Sequence, residues 1–139
     1  MTNLLFEKFI KTKFSLWIFS NEKIIFRSKK EGLQPIVDYL KQSGLNNKNI
    51  IVFDKIIGNA VALLLVLLKP KKVCTLTISS SGLRIFKKYK INYSALKNVD
   101  IIKGKNTQEI CPMEKLSAGK SPKEFYKILF AAKRSEEKK

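Results

Sequence analysis

Between Ile50 and Lys90 the chain alternates strand and helix patterns twice, and this alternation restricts its fold more than any other feature. Ile50 to Phe53 is a continuous apolar run suited to a strand buried on both faces. Asp54 then stands where a helix N-cap belongs, before an apolar helix that Lys69-Pro70 ends. Val73 to Ile78 repeats the strand pattern, and Ser79-Ser80-Ser81-Gly82 leads into an amphipathic helix reaching Lys90. Two such units in succession predict neighbouring parallel strands joined by right-handed crossovers, with helices covering the sheet.

The flanking segments fit the same architecture. Leu5, Phe6, Phe9 and Ile10 have the spacing of one helical face, so a short leading helix is expected over 1–12. The runs Lys13 to Ser20 and Lys23 to Ser28 are aromatic and β-branched, and Asn21-Glu22 between them is a two-residue hairpin turn. Glu31 to Ser43 reads as a helix with Leu33, Ile36, Val37 and Leu40 on one face, Pro35 in its first turn and Gly44 as its stop. A further strand falls at Ile91 to Tyr93 or at Val99 to Ile102. Pro122 to Lys133 is a last helix started by Ser121, and Ser135 to Lys139 a charged, frayed tail. With 139 residues there is material for one core, so 13–134 is expected to form a single α/β domain.

Absences exclude several kinds of chemistry. The chain has no His, which removes every Ser-His, Cys-His and His-zinc arrangement. Cys74 and Cys111 are the only thiols, too few for a Cys₄ site, so no metal and no cofactor are expected. No stretch reads as a secretory signal, and the apolar run Ile56 to Leu68 is shorter than the roughly 20 residues of a membrane span. A cytoplasmic protein without membrane association is therefore expected. Twenty-eight basic residues against 11 acidic ones leave a formal charge of +17, and all but three of the basic residues are Lys. Lys is a hydrated point charge without the planar fork that reads base edges, so this excess favours general attraction of polyanions.

In an open sheet, ligands bind outside the carboxyl ends of parallel strands, where helix N-termini present amide groups. Asp54-Lys55 and Ser79-Ser80-Ser81-Gly82 mark two such ends. Asp54 is explained by capping alone, whereas Lys55 in a first helical turn opposes the macrodipole and calls for an anion nearby. Gly58 inside a strong helix suggests close approach of another backbone or a ligand. The serines are caps, or a cradle for an anion. Cys111-Pro112 would set a thiol at a helix start, with Glu114 in the capping-box position; Cys74 reads as a small buried hydrophobe. If chemistry occurs, Cys111 is the nucleophile available and Glu114 or Asp54 the base. Lys69, Lys71, Lys72, Lys87, Lys88 and Lys90 form either a basic face or ordinary solvated surface. Phe14, Trp17, Phe19 and Phe26 are core residues of a hairpin before they are stacking platforms.

The string Asp54-Lys55-Ile56-Ile57-Gly58-Asn59-Ala60-Val61-Ala62-Leu63-Leu64, with Gly32-Leu33-Gln34-Pro35 upstream and Cys111-Pro112-Met113-Glu114-Lys115 downstream, resembles the prokaryotic domain-of-unknown-function family 1893. The resemblance spans Lys13 to Leu116. It implies a three-layer α/β/α fold, a cytidine deaminase-like mixed sheet with helices on both faces, and a site at the helix starts near Asp54 and Ser79. It does not bring deaminase chemistry, which needs H-x-E at the first helix start and P-C-x-x-C at the second. Asn59 stands where the family commonly has a basic residue, and Lys103-Gly104-Lys105-Asn106 where it commonly has Asn-Arg. The expected function is binding of a small anionic, nucleotide-like ligand by Lys55, Asn59, Ser79, Ser80 and Ser81, with Asp54, Cys111 and Glu114 completing the lining. Two other readings stand beside it: an RNA- or DNA-binding module using the lysine surface, and a non-catalytic interaction domain.

Overall fold

A computed structural model of the chain describes residues 2–100 and 112–137. The elements run α1 (Thr2–Lys11), β1 (Leu16–Ser20), β2 (Lys23–Ser28), α2 (Gln34–Ser43), β3 (Ile50–Ile57), α3 (Asn59–Leu67), β4 (Lys72–Ser79), α4 (Ser80–Lys88), β5 (Tyr93–Val99), α5 (Pro112–Ser117) and α6 (Pro122–Glu137). The five strands form one mixed sheet in the order β2-β1-β3-β4-β5. β1 is antiparallel to both β2 and β3, while β3, β4 and β5 run parallel. Asn21 (φ 51°) and Glu22 (φ 69°) both lie in the left-handed region, as a two-residue hairpin turn requires.

Alternation along the central strands divides the core in two. Leu16, Ile18, Val52 and Val73 join residues of α2, α3, α4 and α6, whereas Trp17, Phe19, Phe53 and Cys74 join Phe6 and Phe9 of α1. The layers are therefore α1, the sheet, and the remaining helices, the expected α/β/α arrangement. On the α1 side the core is aromatic: the Phe9 ring centroid lies 5.2 Å from Trp17, and Phe6 meets Phe53 edge-on at 5.3 Å. On the other side α3 is apolar around its whole circumference, and Asn59 to Leu65 are all buried. It lies against α2, α4, α5 and α6 as well as β3.

Several boundaries differ from the sequence expectation: β1 starts at Leu16 rather than Lys13 and α4 ends at Lys88 rather than Lys90, and four further differences bear on the architecture. β3 continues through Asp54 and Lys55 to Ile57, so the helix starts four residues later than Asp54 capping would set it. The β-branched pair Ile56-Ile57 favours strand, and Gly58 serves as the N-cap in extended conformation. α2 starts at Gln34 rather than Glu31, because Gly32 takes φ 67° and cannot be helical there. β5 lies between the two segments proposed for a last strand and overlaps both. α6 passes Lys133 and runs through Ser135 to Glu137, its last two residues being glutamates of good helix propensity. Its start agrees with expectation: the Glu124 amide donates to Ser121 Oγ (3.2 Å) and the Ser121 amide to Glu124 Oε1 (2.9 Å), a capping box.

Gly82 holds the helix layer together at its most crowded point. A Cβ there would lie 3.2 Å from the Ile57 carbonyl oxygen, 3.2 Å from Ile78 Cγ1 and 3.3 Å from the Gly58 carbonyl oxygen. Two of these neighbours are backbone atoms at a strand end and cannot rotate away. Gly82→Ala is expected to destabilise the fold by about 1 to 3 kcal/mol despite alanine's better helix propensity, measured by urea unfolding.

Candidate functional site

The contact of Gly82 with Ile57 and Gly58 brings the starts of α3 and α4 together at the carboxyl ends of two neighbouring parallel strands. Ser79 caps α4: its Oγ accepts from the Gly82 amide at 3.0 Å and lies 3.1 Å from Ser81 Oγ, and the residue is fully buried. Ser80 and Ser81 are half-buried, with Ser80 Oγ 3.5 Å from the Val99 carbonyl. Gly58 offers α3 no side-chain cap. Neither helix has an acidic residue in its first turn, so the positive ends of both macrodipoles meet with no carboxylate on either helix start.

Asn59 opens α3 and is buried. Its Nδ2 donates to the Ser117 carbonyl (3.0 Å) and to Ser117 Oγ (2.9 Å), tying the first turn of α3 to the end of α5. This tie is invisible in sequence, since the partners are 58 residues apart. Asn59 thus borders the junction with its amide nitrogen already committed to the protein. Pro112 is the first residue of α5, the position expected of it. Cys111 lies outside the described residues, and Glu114 is placed on α5 by its backbone.

Asp54 and Lys55 are not brought to the helix starts. They are successive strand residues and point to opposite faces of the sheet. Asp54 is in register with Leu16 and Thr75 and is buried, its Oδ1 accepting from the Ile56 amide at 3.2 Å. Burial pushes its carboxyl up to about 8, outweighing the backbone hydrogen bonds from Ile56 and Lys55 that favour the charged form. Near neutral pH Asp54 therefore largely keeps its proton. Lys55 reaches the other way. Its Nζ donates to the Thr12 carbonyl just past the end of α1 and lies 5.4 Å from the Phe9 ring centroid. The sequence puzzle of a cation at a helix N-terminus is resolved, because Lys55 sits at a helix C-terminus, where the macrodipole favours it.

Cys74 is a free, buried thiol paired in register with Phe53 beneath α1. Burial pushes it up, and the Lys72 charge offsets this only in part. Cys74 and Asp54 face opposite sides of the sheet, so they cannot share a ligand. Among the described residues no three His, Cys, Asp or Glu side chains gather as a metal site would require. The aromatics also divide: Trp17 and Phe19 are core beneath α1, Phe26 packs on Tyr39 across the sheet, and half-buried Phe14 carries Arg27 at 4.9 Å. They form no continuous stacking surface.

The profile of the family described as "Domain of unknown function (DUF1893)" matches residues 5–131. A DUF1893 family protein of known crystal structure, from Thermotoga maritima, is 30% identical, with a TM-score of 0.85 over 94% of this chain and 88% of that one. No curated protein matches the sequence. No helix among the described residues is long and apolar enough to cross a membrane.

The buried carboxyl of Asp54 makes stability depend on pH. Between its ordinary value of 3.8 and about 8, the unfolded chain has lost this proton while the folded chain retains it. Stability contributed through this group is thus greatest at pH 4 and falls until about pH 8, where the loss is complete. Asp54→Asn keeps the Oδ1 acceptor and removes the titration. It is expected to match the parent near pH 4 and to exceed it at pH 8 by roughly 2 to 5 kcal/mol, at about 1.4 kcal/mol per unit of displacement. Urea unfolding across that range provides the check, and identical pH profiles for the two proteins would refute it.

Proposed function

The chain belongs to the DUF1893 family of domains of unknown function, and from that premise we propose that it is a zinc-free, deaminase-like scaffold binding a small anionic, nucleotide-like ligand where α3 and α4 begin. The observation that carries this reading is the meeting of two helix N-termini with no acidic residue in either first turn. The amides of the first turn of α4 and the hydroxyls of Ser80 and Ser81 are the groups offered to an anion. Asn59 and Ser79 act as positioning residues that hold the two helix starts, and Lys55 serves α1 instead. Zinc deamination finds no support in these residues: the first helix start reads Gly58-Asn59-Ala60 and the second Ser79-Ser80-Ser81-Gly82, and neither supplies a zinc ligand.

A second reading rests on a different observation. Lys69, Lys71 and Lys72 lie between the end of α3 and the start of β4, and Lys87, Lys88 and Lys90 at the end of α4, so both groups occupy the amino ends of the parallel strands. Among the described residues the one ion pair is Lys30 with Asp38. The lysine-rich end is thus free to attract a nucleic acid backbone.

A thermal-shift panel of nucleotides, simple phosphates and short single-stranded RNA at low and moderate salt separates the two. A ligand present at about 100 times its Kd adds roughly 2.7 kcal/mol, worth several degrees in a domain of this size. The first reading expects a salt-tolerant shift from a small anion that Ser80→Ala, Ser81→Ala abolishes and Lys55→Met leaves in place. A shift from RNA alone that falls linearly with salt on a log-log scale would support the second reading instead.

A further inference from the structure

At the opposite end of the sheet from the helix starts, a cavity of about 720 Å³ opens between α1 and the amino-terminal half of β3 and β4. Its floor follows from strand register. Phe19 pairs with Ile51, and Ile51 with Lys72, so these three form one row across β1, β3 and β4 and share the face beneath α1. Phe53 lies two residues further along β3 on that face, and Leu5 of α1, 39% exposed, closes the side. The rim is polar, with Lys71, Asn49 and Asn92 at its edge.

Lys72 is the anomaly. It is half-buried, on the apolar face of a strand, beside the buried Cys74 thiol whose titration it perturbs. Its ammonium makes no ion pair or side-chain hydrogen bond among the described residues. Glu22 also lines the cavity but pairs with neither lysine. An unpaired cation beside an apolar floor is offset by an anion that enters with an apolar body attached. The position adds to this preference, since Lys69, Lys71, Lys72, Lys87, Lys88 and Lys90 all lie at this end of the parallel strands. The volume suits a ligand of drug or cofactor size, and the lining sets four apolar side chains on the floor and side against six polar or charged ones around them, a composition fitted to an amphipathic ligand.

We propose that this cavity binds an amphipathic monoanion, an acyl or aryl body on Phe19, Ile51 and Phe53 with its carboxylate or sulfonate met by Lys72 and Lys71. The site is separate from the junction of α3 and α4, and its test does not depend on that reading. Decanoate represents the acyl source and 8-anilinonaphthalene-1-sulfonate the aryl source. Trp17, the single tryptophan, packs within 6.3 Å of both Phe19 and Phe53 by ring centroid and reports on the floor through its fluorescence.

The full-length chain is expected to bind at least one probe saturably with one-to-one stoichiometry; the probe that binds identifies the body. Lys71→Ala, Lys72→Ala should weaken that binding at least tenfold. Lys87→Ala, Lys88→Ala, which removes equal charge outside the cavity, should leave it within twofold, and decanol should bind at least tenfold more weakly than decanoate. Ile51→Phe, which narrows the floor, should weaken binding without removing charge. A urea midpoint for each variant confirms folding. Failure of both probes to saturate, equal losses in the two double-lysine variants, or decanol binding as tightly as decanoate would overturn the proposal.

Discussion

The fold depends on covering α3. A helix that is apolar on every side has no face to turn to solvent, so it is stable only when surrounded. The sheet covers one side, and α2, α4, α5 and α6 take the others. This requirement brings the starts of α3 and α4 together, because α4 packs beside α3 at a separation only glycine permits at position 82. The end of α5 is drawn in as well, through the double hydrogen bond from Asn59 to Ser117. The candidate site at the helix starts is a by-product of burying one hydrophobic helix.

The sheet itself separates two kinds of chemistry that are adjacent in the chain. Asp54 and Lys55 cannot form a functional pair, since strand pleating sends one into the large core and the other to α1. Each then meets a different solution to its charge. The Asp54 carboxyl is buried and largely holds its proton, whereas the Lys55 ammonium lies against the carbonyl end of α1 and the face of Phe9.

Polarity of the parallel strands sets up the electrostatics on a larger scale. Helix N-termini gather at one end and helix C-termini at the other, and the lysines flanking α3 and α4 collect where the C-termini favour them. On the two proposed readings both ends draw anions, for different reasons. At the helix starts the attraction is directional, through backbone amides and serine hydroxyls. At the lysine end it is diffuse, except where Lys72 is held on an apolar face.

Much of this was legible in the amino-acid order. The hairpin about Asn21-Glu22, the succession of strands and helices, the serine cap of α4, Pro112 opening α5 and the Ser121 capping box are local choices, set within a few residues by backbone sterics and short hydrogen bonds. The start of α3 was not legible, because Asp54 and Gly58 are both acceptable caps and only pairing of β3 with β1 and β4 decides between them. Asn59 with Ser117, Gly82 against Gly58 and the row Phe19, Ile51, Lys72 join residues distant in sequence, for which no local signal exists. Sequence by itself determined the alternation of elements and the excess of charge, since each follows from local composition. Which face each charge occupies, and whether it keeps its proton, was decided only by tertiary structure, because strand register and burial are properties of the assembled sheet.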